Sequence, residues 1–370
     1  MNFPWFGRKS RPLQNRAAPW LSAYALADPP RSYETLVRQA YLANPVAQRA
    51  VRLVAEGVGG APVMANPPGH AVLALVGADG ALVETIAANL LLHGNAYVEV
   101  GCGAGGLPVA LYALRPERVT VEADASGWPT AYLYRAGDRV TRYPAETQGS
   151  SPGLLHLRAY HPLDDHYGLG CLGAAAAAVE VHNSAARWNK ALLDNAARPS
   201  GALIYAPGDG SALSATQFAR LKAEMAEQYG GAANAGRPML LDGGLSWQSL
   251  SLTPAEMDFV RVRDTASREI ALAFGVPPML LGLPGDATYA NYREANVALW
   301  RLTLLPLAAK IYGGLSRHLQ DWWPGLRLDI DRDAVPALSA DREMLWGRVS
   351  AAAFLSDAEK RQMLGLDHGR

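Results

Sequence analysis

A chain of 370 residues is long enough to bury a substantial core and to divide into two or three compact units. Its 34 basic and 34 acidic residues cancel, which excludes nucleic-acid recognition through the overall field while leaving a local patch open. Two cysteines, Cys102 and Cys171, exclude a disulfide framework and predict free thiols in a reducing compartment. No apolar run has the length of a membrane span or the pattern of a secretory signal, so the expectation is a soluble chain without a membrane partner. Charged residues are only 18% of the chain, beside nine Trp and fifteen Tyr, a balance that predicts surfaces covered by other protein.

Residues 1–31, rich in Pro and Trp, read as an irregular arm. From Ser32, the spacing of Leu36, Ala40, Ala43, Ala47, Val51 and Val54 predicts helical turns interrupted at Asn44-Pro45. A helix is predicted over Leu82 to His93, followed after Gly94-Asn95 by short β-branched segments, AYVEV to GLLHLRAY, read as an antiparallel meander. The sequence then changes abruptly to an alanine-rich helical rod carrying Val179, Ala186, Leu193 and Ala197, stopped by Pro199. ALIYA, a helix capped by Ser214 and Gln217, and a hairpin around Gly243-Gly244 make a small βαββ unit between rods. Thr253-Pro254-Ala255-Glu256 caps the next helix, which Gly275 and two prolines end. A loop, a long helix divided at Pro306, the strand LRLDID and a helical tail with a Ser356/Glu359 capping box complete an α+β chain.

Few chemical motifs survive inspection. Gly101 to Gly106 spell G-x-G-x-x-G, and Asp124 stands near the distance of a ribose-binding acid. LPVALYAL after it is a strand rather than a helix, so the glycines are read as a hairpin turn. His161, Asp164, Asp165 and His166 form the densest group of possible metal ligands and define an alternative function, a divalent-metal-dependent hydrolase. A solvated, self-capping loop explains the same residues. No nucleophile elbow, zinc-protease helix or phosphate loop is present, and no catalytic, cofactor-binding or metal residue is assigned. Arg261, Arg263, Arg293 and Arg301 lie on helical segments where ion pairing is the ordinary role; repeated around a ring they would make a band facing its axis.

The segment IALAFGVPPMLLGLPGDATYANYREANVALWRLTLLPLAAKI, with GNAYVEV, LYALRPERVTV, LLHLRAYHPLDDHYGLGCLGAA and RPSGALI in order before it, resembles the HK97-type portal proteins of tailed phages over residues 32–331. GLGCLG departs from the Ser-Pro-rich turn of many relatives at Gly170 and Cys171. The resemblance implies a structural, non-enzymatic subunit with no cofactor, in a phage or in a gene transfer agent. Such a particle is assembled in the bacterial cytoplasm, with the portal at one capsid vertex. It implies a ring of twelve copies around double-stranded DNA bound without regard to sequence, with large terminase, head-tail adaptor and major capsid protein as partners. It divides the chain into an arm (1–31), wing (32–170), first stem helix (171–198), clip (199–252) and second stem helix (253–275). A tunnel loop, long helix and wing return (276–335) and a short crown (336–370) follow. On this reading Gly282, Pro284, Gly285, Asp286, Thr288, Tyr289 and Asn291 belong to a loop lining the DNA passage. Arg261 and Arg263 are channel charges, and Arg220, Lys222, Glu224 and Arg237 form the clip surface.

Overall fold

The computed structural model describes residues 32–67, 71–77, 80–145, 153–194, 201–206, 213–229, 244–249, 259–285 and 288–365. The expected arm, the stop at Pro199, the cap at Thr253 to Glu256, the RPMLLDGG strand, Arg237 and Asp286 lie outside those residues. Helix α1 (Tyr33–Leu36) opens on the Ser32 hydroxyl, which accepts from the Thr35 amide, and widens into a π-helical turn over Val37–Leu42. Asn44 ends it. Its side chain accepts from the amides of Val46 and Ala47, and Pro45, with no amide hydrogen to leave unpaired, occupies the first turn of α2 (Pro45–Gly59). Ala47, Ala50, Val51, Val54 and Val58 make the buried stripe of α2. Ala43, expected on that stripe, is exposed because the break at Asn44 resets the helical phase.

Strand β1 (Val63–Asn66), short helix α3 (Val72–Val76) and α4 (Ala81–Leu92) follow, with Val83, Ile86, Ala87 and Leu90 of α4 buried against α2. The next six strands are β2 (Asn95–Cys102), β3 (Pro108–Leu114), β4 (Val119–Ala123), β5 (Pro129–Ala136), β6 (Arg139–Pro144) and β7 (Leu154–Arg158). They do not form one meander. They divide into two three-stranded sheets, β3-β2-β7 and β4-β5-β6, because β7 returns past the second sheet to pair with β2 from Asn95↔Arg158 to Glu99↔Leu154. The inner segment Asn95 to Val98 is fully buried, so β2 needs neighbours on both edges for its backbone groups. The glycine run is the predicted hairpin turn, closed by Gly103 N–H donating to Leu107 O at 2.9 Å.

Helix α5 (Cys171–Asp194) is 24 residues long, about 36 Å. Leu172, Ala175, Val179, His182 and Ala185 make its buried line, and α5 packs along α7 (Phe259–Ala273). Val179 lies on that line as expected, Ala186 is only half-buried beside the buried Ala185, and Ala197 lies outside the described residues. Between the two rods in sequence, β8 (Gly201–Tyr205) pairs antiparallel with β9 (Leu245–Ser249), and α6 (Ala215–Tyr229) connects them. The α6 cap is reciprocal as expected: Gln217 N–H donates to Ser214 Oγ at 3.3 Å and Ser214 N–H to Gln217 Oε1 at 2.9 Å.

Helix α8 (Tyr289–Leu299) runs through a π-helical turn, Trp300–Leu304, into α9 (Leu305–Leu319). Pro306 stands in the first turn of α9, where the wider turn before it absorbs the missing amide without dividing the rod. Strand β10 (Arg327–Ile330) pairs antiparallel with β1 and returns the chain to its beginning. Helices α10 (Ser339–Ala351) and α11 (Asp357–Leu364) end the described chain, α11 on the predicted Ser356/Glu359 box. One apolar core joins α2, α4, β2, β7, α5 and α9; Tyr97, Leu114, Val119 and Leu154 form a second between the two wing sheets.

Gly94 leaves α4 at φ 84° and meets Gly168 and Gly170, two residues just ahead of α5, backbone against backbone. A Cβ at Gly168 would overlap the Gly94 carbonyl and the Ala159 amide. Gly168→Ala is therefore expected to lower unfolding stability by at least about 2 kcal/mol in urea titration. Gly105→Ala, at a hairpin tip where nothing lies within 4 Å, should change it by less than about 0.5 kcal/mol.

Candidate functional site

The segment expected to line a channel is built by two successive left-handed stops. At the end of α7, Gly275 (φ 66°) donates to Leu272 O at 3.0 Å and Val276 N–H to Ala271 O at 2.9 Å, the paired bonds of a Schellman stop. Thr303, in the π turn of the following helix, donates its hydroxyl to Gly275 O at 2.6 Å. Pro277 and Pro278 start a single 3-10 turn, Pro278–Leu281, which Gly282 (φ 72°) ends in the same way. The Arg268 guanidinium of α7 then reaches across and donates to Pro284 O. Thr288 caps α8, its Oγ1 accepting from Asn291 N–H at 3.2 Å.

Gly282, Pro284, Gly285, Thr288 and Tyr289 are exposed, Tyr289 at 86%. The expected loop over 282–291 is shorter than anticipated: Tyr289 to Asn291 already belong to α8, because Thr288 supplies an N-cap before them. No Lys or Arg lies between Gly282 and Asn291.

The basic residues do not form one free band. Arg261 is exposed, but Arg263 is half-buried; its Nε is shielded from solvent without a hydrogen-bond partner, and its charge acts on His182 of α5. Arg263 thus lies near α5, while Arg261, two residues earlier on α7, is exposed. Arg301 pairs with Asp341 of α10, and Arg293 with Glu294 at 3.6 Å. On the α6 surface, Arg220 Nε donates to Glu224 Oε1 at 3.0 Å, while Lys222 is exposed.

The His/Asp loop is a self-capping turn. Asp164 Oδ1 accepts from the amides of His166 (2.7 Å) and Tyr167 (2.8 Å), and His161 Nδ1 accepts from Leu163 N–H at 3.0 Å. Burial works to raise the Asp164 pKa, but those two amide donors and the nearby histidines outweigh it and hold the carboxyl below its usual range. Asp165 contributes its carbonyl to Arg158. Among the described residues no three His, Cys, Asp or Glu side chains are grouped to hold a metal, and the hydrolase alternative finds no support there.

A family model described as phage portal protein matches residues 45–365. The chain belongs to the phage portal protein family. An uncharacterized protein of Rickettsia felis (strain ATCC VR-1525 / URRWXCal2) is 39% identical over 344 residues, 89% of this chain and 88% of the relative. A chain in the neck of a native gene transfer agent particle, reconstructed with C12 symmetry, is 44% identical over 94% of this portal and 98% of its own length, with a TM-score of 0.69. The crystal structure of an HK97 family phage portal protein from Corynebacterium diphtheriae shares the fold at 16% identity, TM-score 0.55, over 80% of this chain and 96% of that one. The portal chain thus has a mixed α/β architecture of long helices with small sheets. Its function is that of a structural portal protein. Among the described residues no helix is long and apolar enough to cross a membrane.

Two buried asparagines, neither foreseen as functional, set where the rods of this portal begin. Asn95 Oδ1 accepts from Gly168 N–H (2.7 Å) and His156 Nε2–H (3.0 Å), while its amide donates to Gly168 O (3.2 Å) and His93 Nδ1 (3.1 Å). Asn44, besides capping α2, donates to Asn183 Oδ1 (2.9 Å) and His182 Nδ1 (3.1 Å) of α5. Asn44 before Pro45 could have been read as a cap; nothing local marks the reach of Asn95.

Burial, with the nearby charge of Arg158 and of His93 and His166, pushes His156 down to about 3; it stacks on Tyr97 at 4.4 Å. Burial lowers His182, and Arg263 adds to that. The fold disfavours the charged form of both rings, whereas unfolding releases them to the ordinary value near 6.5. Stability is fully present above about pH 6.5 and falls below it, because the unfolded chain takes protons the fold refuses. For His156 alone the loss is about 1.4 kcal/mol per pH unit until its folded value of about 3 is approached. Urea midpoints should therefore drop between pH 7.5 and 5. His156→Gln, which keeps an N–H donor toward Asn95, should flatten that dependence.

Proposed function

We propose that this portal chain forms a closed ring of twelve copies around double-stranded DNA, in a particle of the gene transfer agent type. The observation that carries it is the nearly end-to-end match to a chain in a native gene transfer agent neck with C12 symmetry. Particle assembly in the bacterial cytoplasm and a place at one capsid vertex go with this reading.

Within the ring, residues 32–170 with the β10 return make the wing, against the major capsid protein. Residues 171–198 and 253–275 make the stem, 199–252 the clip, 276–335 the channel segment, long helix and wing return, and 336–370 the crown. The lysine- and arginine-free segment from Gly282 to Asn291, whose sequence includes Asp286 and in which Gly282, Pro284, Gly285, Thr288 and Tyr289 are exposed, faces DNA without gripping phosphate. The clip carries Arg220, Lys222, Glu224 and Arg237 and docks large terminase during packaging and the head-tail adaptor afterwards. Its support is a small sheet and helix inserted between two rods that pack on each other.

Isolated particles should yield twelve-fold portal rings by native mass measurement and symmetry-free reconstruction, with Pro284 and Tyr289 nearer the axis than α6. Persistent monomers in particles would overturn the ring, and a wholly exterior 282–291 segment would overturn the channel assignment. Reversing the charges of Arg220, Lys222 and Glu224 together should weaken terminase or adaptor binding at least about tenfold with rings intact. Unchanged affinity for both partners would move docking elsewhere.

A further inference from the structure

Resting on the ring reading and deepening it, we propose that an apolar cleft beside the Gly275–Pro278 turn receives side chains of the neighbouring copy, and is one half of the subunit contact. The cleft holds roughly 400 Å³, floored by Val276, Pro277 and Pro278 and walled by Leu272 of α7 and Leu302 of the π turn. Leu272 is 79% exposed and Leu302 78%. A single exposed leucine is ordinary; two that bracket a ready-made apolar cleft from different helices mark a surface built to be covered. The cleft is preformed, since the Schellman stop, the Thr303 bond to Gly275 O and the two prolines fix its floor. Filling it therefore costs little ordering.

Charge and symmetry together select the occupant. Among the described residues Arg268 is the only ionisable side chain lining the cleft, and its guanidinium is engaged with the Pro284 carbonyl. The cleft thus offers little to a phosphate backbone or an acidic partner and fits an uncharged protein surface. Helix α7 is covered by its own chain on one side, where Ala266 and Ile270 are buried and α5 packs, while Thr265, Arg268 and Leu272 run along an exposed side. Copies related by a twelve-fold axis, as in the neck of the 44% identical relative, contact one another heterologously, each chain presenting one patch to a different patch of the next. A rod bare on one side and notched by an apolar cleft is the receiving patch such a contact requires.

The test uses the full-length chain. Leu302→Glu and Leu272→Lys, made separately, should each lower the assembled fraction at fixed concentration at least about tenfold, because a buried leucine contact is lost at every interface of the ring. Both leucines are exposed in the single chain, so far-ultraviolet circular dichroism of the unassembled variants should match wild type. A photoreactive benzophenone side chain at position 302 should cross-link assembled rings into covalent dimers and higher multimers of this chain. Variants that assemble as well as wild type, or cross-links confined to the same chain or to the adaptor, overturn the inference and leave the ring standing. A wild-type chain that forms no ring overturns both.

Discussion

The geometry of the chain depends on how two buried asparagine side chains hold the start and the flank of α5. Asn95 takes both backbone groups of Gly168, three residues ahead of the helix, while Asn44 holds His182 and Asn183 half-way along it. One clasp fixes where the rod leaves the wing and the other fixes its direction, so a 24-residue helix cannot pivot without breaking both. An amide suits this work because it donates and accepts from one rigid plane. The glycines at 94, 168 and 170 let the backbones approach closely enough for Asn95 to reach.

Such clasps are costly to disturb because they lie in a low-dielectric interior where a released polar group finds no water. His93 and His156 hang from Asn95, and His182 from Asn44. All three are pushed by burial toward the neutral form, which is the form whose ring nitrogen can serve as acceptor to an asparagine amide or as a single donor to its oxygen. The aromatic cluster of Tyr97, Tyr132 and His156 closes the junction between the two wing sheets. Burial also raises the Tyr97 phenol, keeping it uncharged at the same junction. The junction is thus held in neutral form, while the pairs Arg38–Glu34, Arg142–Glu122 and Arg220–Glu224 lie on the surface.

The helices were legible in the sequence wherever a local device made them. Ser214 with Gln217, Ser356 with Glu359, Pro45 after Asn44 and Gly275 before two prolines each act within a few residues, so spacing alone located α2, α6, α7's end and α11. What spacing could not show was pairing across distance. The return of β7 to β2, and of β10 to β1, is decided by which edges remain buried once helices have packed, as is the meeting of Gly94 with Gly168. The π turns at Val37–Leu42 and Trp300–Leu304 have no composition signal either; the second became visible only through Pro306. The partial burial of Arg263 was hidden for a related reason, since a basic residue on an amphipathic helix reads as solvent-facing until a neighbouring helix covers it.

On the ring reading, the internal use of arginine has a mechanical consequence. Arg268 is turned onto the Pro284 carbonyl, Arg301 onto Asp341, Arg342 onto Asp333, and Arg263 lies toward His182. A single exposed cation facing a phosphate is worth at most about 1 kcal/mol. Symmetry multiplies it: the same cation repeated around the ring adds to the attraction on the duplex backbone. DNA that must move in both directions needs a wall without such attraction. Spending arginines on carbonyls and carboxylates of the same chain, and leaving 282–291 without Lys or Arg, weakens it while keeping the cations that brace the segment. The same economy leaves the neighbouring cleft apolar, and an apolar contact there, if copies meet at it, would not be loosened by the salt that screens phosphate contacts.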